Sequence, residues 1–183
     1  CDRASLLRLA MPARNGKVEK EVKAQEVDFE VWQHYDAAAW NSYELGQSLL
    51  LALAQSKGPR CSWQPLPGQL NAGVLAAVQA VLTAGRAAMI VAPNARNAND
   101  LAQFLSQALG KEPVLTLTSE MKPSARYRVF VKALLGQTRI VVGTRAAAWL
   151  PLKNLGLAVL VDDEDSSLIE PHHPYVHART VLA

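Results

Sequence analysis

Four apolar runs of strand length, 87–92, 114–117, 139–142 and 157–161, recur along the second half of the chain, and none alternates apolar with polar positions. Continuous hydrophobicity is what a strand shows when both faces of its sheet are covered. Between and before these runs the apolar residues change to helical spacing: Val74, Leu75, Val78, Val81 and Leu82, then Leu101, Phe104, Leu105 and Ala108, then Tyr127, Phe130, Val131, Leu134 and Leu135. Gly85, Gly110 and Gly136 follow the periodic segments, where a helix end favours a left-handed residue. With 60–66 read as a further strand, the order is β-α-β-α-β-α-β and a last strand. That order predicts an α/β fold with a doubly wound parallel sheet.

The first sixty residues follow another rhythm. Leu6, Leu7, Leu9 and Ala10 read as the end of a helix stopped by Pro12, residues 15–35 are charged or alternating, and 47–54 is a leucine-rich helix. Ser56, Lys57, Gly58 and Pro59 form a hinge-like stretch. The division this predicts is an N-terminal arm with a docking helix over 1–59 and the sheet domain over 60–183.

Composition narrows the picture. Of 183 residues, 50% are apolar and 19% charged, which suits one domain with a real core plus an arm. No apolar run approaches the ~20 residues of a membrane helix, and 1–14 holds no signal-peptide core. Cys1 and Cys61 are too few for a disulfide framework or a four-cysteine zinc site, so a reduced, cytoplasmic chain is expected. Opening on Cys1 rather than Met suggests a fragment of a longer protein. The charge is segregated: 57–153 holds twelve Lys or Arg against three acids, a net +9, whereas 158–183 holds five acids against Arg179 alone. A basic body of this kind suits a polyanion such as nucleic acid; a solvated basic surface has the same composition.

In a doubly wound sheet, ligands sit outside the carboxyl ends of the strands, so the segments 67–72, 93–97, 118–122, 143–145 and 162–165 should gather on one edge. The first lies where a nucleotide-binding lobe carries its phosphate loop, G-x-x-x-x-G-K-[ST]. Gly68 and Gly73 keep the gap, but Val74 and Leu75 follow, and no Lys or Arg lies between Arg60 and Arg86. An ordinary turn into a helix is the plainer reading. The run Asp162-Asp163-Glu164-Asp165 follows a strand as a metal-holding acidic pair would, yet without a phosphate partner it is a solvated cluster. Arg96, Lys122 and Arg145, each with hydroxyl or amide neighbours such as Thr144, suit phosphates of an extended nucleic-acid strand, and Arg126 is a further candidate. His172, His173 and His177 sit in a proline-broken loop poorly suited to tetrahedral metal geometry, and Cys61 lacks an activating context. No catalytic residue and no metal site is assigned.

From Arg139 onward the text becomes more specific. Arg139-Ile140-Val141-Val142-Gly143-Thr144-Arg145-Ala146-Ala147, Pro151-Leu152-Lys153-Asn154-Leu155-Gly156-Leu157, the acidic run with Ser166-Ser167, and Pro174-Tyr175-Val176-His177-Ala178-Arg179 resemble the primosomal protein N′ (PriA) replication-restart helicase family. That family reads R-I-V-V-G-T-R-S-A, P-F-x-N-L-G-L, D-E-E-H-D-S-S and P-R-Y-H-A-R-D. The match is ordered over 114–179 and looser over 60–113, and 6–14 resembles the stretch after the family's N-terminal DNA-binding domain. The resemblance implies a RecA-like first helicase lobe with its preceding linker. The DNA-binding domain, the second lobe and the cysteine-rich zinc module would lie outside this chain.

The departures concern the nucleotide. A gapless register puts Leu70 and Asn71 at the family's phosphate-loop Lys and Thr, and Val161, Asp162, Asp163 and Glu164 at its D-E-E-H; a one-residue shift returns Asp162 to the metal position. V-P-E-I-x-L-T becomes Ala92-Pro93-Asn94-Ala95-Arg96-Asn97-Ala98. This pattern resembles the actinobacterial-type branch of the family. It implies a degenerate nucleotide site (Gly68, Leu70, Asn71, Asp162, Asp163), no cofactor in this chain, and a scaffold that binds forked or single-stranded DNA beside primosome and helicase-loading proteins. Against it stand an active ATP-dependent 3′-to-5′ helicase, a small-molecule α/β enzyme and a protein-docking scaffold.

Overall fold

A computed structural model describes residues 10–25 and 27–183. The expected helix end at Leu6, Leu7 and Leu9 lies outside the described residues. Four strands form one all-parallel sheet: β1 (Ala87–Val91), β2 (Val114–Leu117), β3 (Ile140–Gly143) and β4 (Leu155–Leu160), in the order β2-β3-β1-β4. The helices that join and flank them are α3 (Leu70–Thr83), α4 (Ala95–Leu109) and α5 (Pro123–Leu135), preceded by α1 (Gly16–Lys23) and α2 (Gly46–Ala54) and followed by α6 (Ala178–Leu182). The chain has the three-layered, doubly wound architecture of a RecA-like lobe.

Strand β1 shows why its sequence is continuously apolar. Ala88 and Ile90 face α3 and α4, packing with Val78, Leu82, Leu101 and Leu105, while Ala87, Met89 and Val91 face α5 and the turn after β3, packing with Val129, Ala133 and Ala147. All five strand residues are buried. Gly110 and Gly136 end α4 and α5 at φ +61° and +74°.

One sequence expectation fails, and one helix is unforeseen. Residues 60–66 do not form a strand. Pro59, Pro65 and Pro67 remove ladder donors around them, and Trp63 turns aside to stack on Trp40 with ring centroids 4.6 Å apart. Its ring also lies where a Cβ on Gly73 would stand, 2.4 Å from the nearest ring carbon. Residues 60–65 therefore run beside β4 without pairing, and a groove of about 920 Å³ separates them from Ala158–Asp163. Conversely, 15–35 contains α1. Only Val18 and Val22 give it an apolar face, and both are buried against Tyr127 and Val131 of α5. Asn15 caps it, its side chain accepting the Val18 N–H at 3.2 Å.

The arm wraps the sheet. From α1 on α5, it crosses the amino ends of the strands, where the buried Glu112 takes the Arg139 guanidinium through both oxygens (Nε–Oε1 3.0 Å). Phe29 packs against that guanidinium, 4.7 Å from ring centre to carbon, and Arg139 also donates to the Glu30 carbonyl. The arm ends on the opposite face, where Trp40, Leu50 and Leu53 bury themselves on Ala76, Ala77 and Ala80 of α3.

Candidate nucleic-acid interface

Parallel strands bring all their carboxyl ends to one edge, and the strand order sets the order of the loops there. The loop with Lys122 comes first, then Thr144 and Arg145, then Arg96, then Asp162 and Asp163. At ~4.8 Å per strand, the three basic loops span roughly 10 Å between their outer members.

The elements present these groups differently. Arg96 stands in the first turn of α4, its side chain 89% exposed and 3.9 Å from the also exposed Asp100, a pair of little energetic consequence. Asn94 caps the same helix by accepting the Asn97 N–H at 2.9 Å. Lys122 is exposed at the start of α5, where Pro123 occupies the first helical position. Arg126 lies one turn further on and is half-buried. Thr144 donates its backbone N–H to the Leu117 carbonyl at 3.0 Å, and its hydroxyl makes no hydrogen bond among the described residues.

Arg145 is turned inward. Its Nε donates to Glu170 at 3.1 Å, and Nη1 donates to the carbonyls of Ser167 and Ile169 at 2.6 and 3.0 Å. Among the described residues only Nη2 has no partner. Glu170, which local sequence did not mark, is buried and also meets His172 Nδ1 at 3.0 Å. Arg145 thus fastens the 166–177 loop against the end of β3, and Ser167 fastens it to β1 by donating to the Pro93 carbonyl at 2.7 Å. Internal use also claims Arg139 and Arg86, the latter donating to the Leu155 carbonyl. The surface is less basic than the +9 segment suggests.

The residues at the nucleotide position are brought together only in part. Leu70, Asp162 and Asp163 line the groove beside β4; Gly68 and Asn71 are not among its lining residues. The turn before α3 is closed by the arm: Tyr43 Oη accepts the Leu66 N–H at 2.8 Å and donates to Gln69 Oε1 at 3.4 Å. Asp163 is paired with Arg179 at 2.7 Å. Asp165 accepts the Ser167 N–H at 2.8 Å, which holds its carboxyl below the usual range. The histidines diverge: His177 Nδ1 accepts the Arg179 N–H to cap α6, His173 packs edge-on against Tyr175, and His172 serves Glu170. Partial shielding pushes the Cys61 thiol pKa up, away from nucleophile activation.

Comparison with known proteins agrees with this architecture. The chain is 39% identical over 180 residues, 98% of its length, to "Probable replication restart protein PriA" of Mycobacterium tuberculosis (strain CDC 1551 / Oshkosh), and 36% identical over 182 residues to its counterpart in Mycobacterium leprae (strain TN). A Synechocystis "Replication restart protein PriA" is 33% identical over 98 residues, 53% of this chain and 12% of that protein. The chain spans about a quarter of the length of the mycobacterial relatives, 27% and 28%. No protein-family model matches it. No helix among the described residues is long and apolar enough to cross a membrane.

Proposed function

Because the chain belongs to the PriA replication-restart family, we propose that it is a helicase-type lobe that holds DNA at a stalled fork without turning over ATP at its own strand ends. The observation that carries this reading is the make-up of the strand-end edge. Lys122 and Arg96 stand exposed at two helix starts there, and the hydroxyl of Thr144 lies in the loop between them. This combination suits phosphate oxygens and is indifferent to base sequence. Arg126 extends the row, and Arg145 orders the loop and offers one remaining nitrogen. At the nucleotide position, Leu70 supplies no charge, Tyr43 closes the turn, and Asp163 is already neutralised by Arg179. A triphosphate would meet an acidic loop there, and the two guanidiniums that line the groove, Arg60 and Arg179, are turned to the Ala183 carbonyl and to Asp163. The lobe then acts as a scaffold in the cytoplasm, beside primosome and helicase-loading proteins.

The test is ATP turnover and fork binding by the full-length parent protein at low salt. We expect fork binding without DNA-stimulated hydrolysis, and a salt slope reduced by about one in each of Arg96→Gln and Lys122→Gln. Hydrolysis that rises with forked DNA and disappears in Asp162→Ala would instead make this lobe part of a working motor.

A further inference from the structure

The arm carries a second charged surface, and its position follows from how α1 docks. Glu19 near the start of α1 lies 3.5 Å from the Tyr127 hydroxyl, near the start of α5, whereas the carbonyls of Val22 and Gln25 accept from Gln137, just past the end of α5. The two helices therefore run side by side in the same direction. Their first turns point to the strand-end edge, where Lys122 and Arg126 stand.

Residues 10–25 and 122–136 together hold eight Lys or Arg against Glu19 and Glu21, a net +6. Both acids are already engaged, Glu19 by Arg14 and Lys23 and Glu21 by Arg128 at 2.6 Å. Lys17, Lys20, Lys122, Arg126 and Lys132 enter no ion pair among the described residues. Lys17 and Lys20 lie away from the Val18–Val22 stripe that faces α5, and both are exposed. A 13-residue helix is ~20 Å long, the length of about six phosphates along one DNA strand at 3.4 Å each. Among the described residues, α1 and α5 offer no exposed aromatic ring for stacking: Tyr127 is buried and Phe130 half-buried. Charge without a stacking platform suits the backbone of a duplex rather than unpaired bases.

We infer that α1 and α5 form a phosphate track for a duplex arm of the DNA, continuous with the strand-end edge through Lys122 and Arg126. The inference rests on the reading of that edge as a DNA site. It makes the arm part of the interface rather than a linker.

The experiment compares Lys17→Gln/Lys20→Gln with the unmodified full-length protein on forked DNA with a duplex arm and on a single-stranded oligonucleotide. The expected result is a salt slope lower by about 1.8 on the fork, unchanged binding to the single strand, an unchanged melting temperature, and restoration by Lys17→Arg/Lys20→Arg. An unaltered slope on the fork, or equal loss on both DNAs, overturns the duplex track. Parallel Arg96→Gln and Lys122→Gln variants separate the two ideas. If they lower the slope while the α1 pair does not, only the track fails; if no variant alters binding to any DNA, the strand-end site fails with it.

Discussion

Gly143 shows what one residue of a motif is for. A Cβ there would stand 2.3 Å from the Leu117 carbonyl oxygen and 2.7 Å from the Ala147 side chain. Those contacts close the end of β3 onto β2 and let Thr144 bond to Leu117. The Gly of the Gly143-Thr144-Arg145 segment is thus a packing requirement, and the Arg is largely a fastener for the 166–170 loop. Gly143→Ala is expected to destabilise the protein by about 1–3 kcal/mol through overpacking, measured as a lower urea midpoint with unchanged m-value. The sequence placed both residues in the correct loop. It could not show that Arg145 faces Glu170, because the partner lies 25 positions away in a loop with no regular pattern.

At the scale of the element, α1 is instructive because eight residues make a marginal helix alone. Its stability comes from the Asn15 cap, from Val18 and Val22 on α5, and from Glu19. Lys23 and Arg14 hold the Glu19 carboxyl at a pKa of about 2, below its ordinary 4.5. A carboxylate depressed on folding contributes stability that is fully present above its unfolded pKa and is lost as pH falls through the folded one. The contribution of Glu19 should therefore fade between about pH 4.5 and 2. The protection factors of the Gly16–Lys23 amides, taken against the intrinsic exchange rate at each pH, should fall over that window. In Glu19→Gln the same amides should be less protected already at pH 7, with less further loss on acidification. Protection in the variant that still falls with pH as it does in the parent would assign the acid response to other groups. The sequence concealed this helix because two apolar residues in a charged stretch fall short of an amphipathic pattern.

For the molecule as a whole, arm and lobe share a core. Trp40 stacks on Trp63, meets Tyr43 at 5.5 Å between ring centroids, and donates Nε1–H to the Gly73 carbonyl at 2.9 Å. Trp40→Ala is expected to cost about 3–5 kcal/mol. Because the core is shared, tryptophan fluorescence and far-ultraviolet circular dichroism should shift together in one transition; two separated transitions would show the arm unfolding alone. The same contacts explain why 60–66 misled as a strand. Cys61 and Trp63 alternate with Ser62 and Gln64 as an edge strand would, but Trp63 gains a stacking partner and a place beneath Gly73 by staying out of the sheet.

The sequence by itself determined the parallel sheet, its principal helices and the edge where chemistry would gather, because burial on both faces and helical periodicity are local patterns written along the chain. It also determined that no Lys or Arg stands between Arg60 and Arg86, since that is the same in any fold. Only the tertiary structure decided which cations remain free. Arg139, Arg86 and Arg145 are consumed by Glu112, the Leu155 carbonyl and Glu170, partners 25 to 69 residues away. It alone placed α1 beside α5 and closed the turn before α3 with Tyr43. These pairings join groups that sequence order keeps apart, and the energy that selects them exists only once the sheet has brought them into contact.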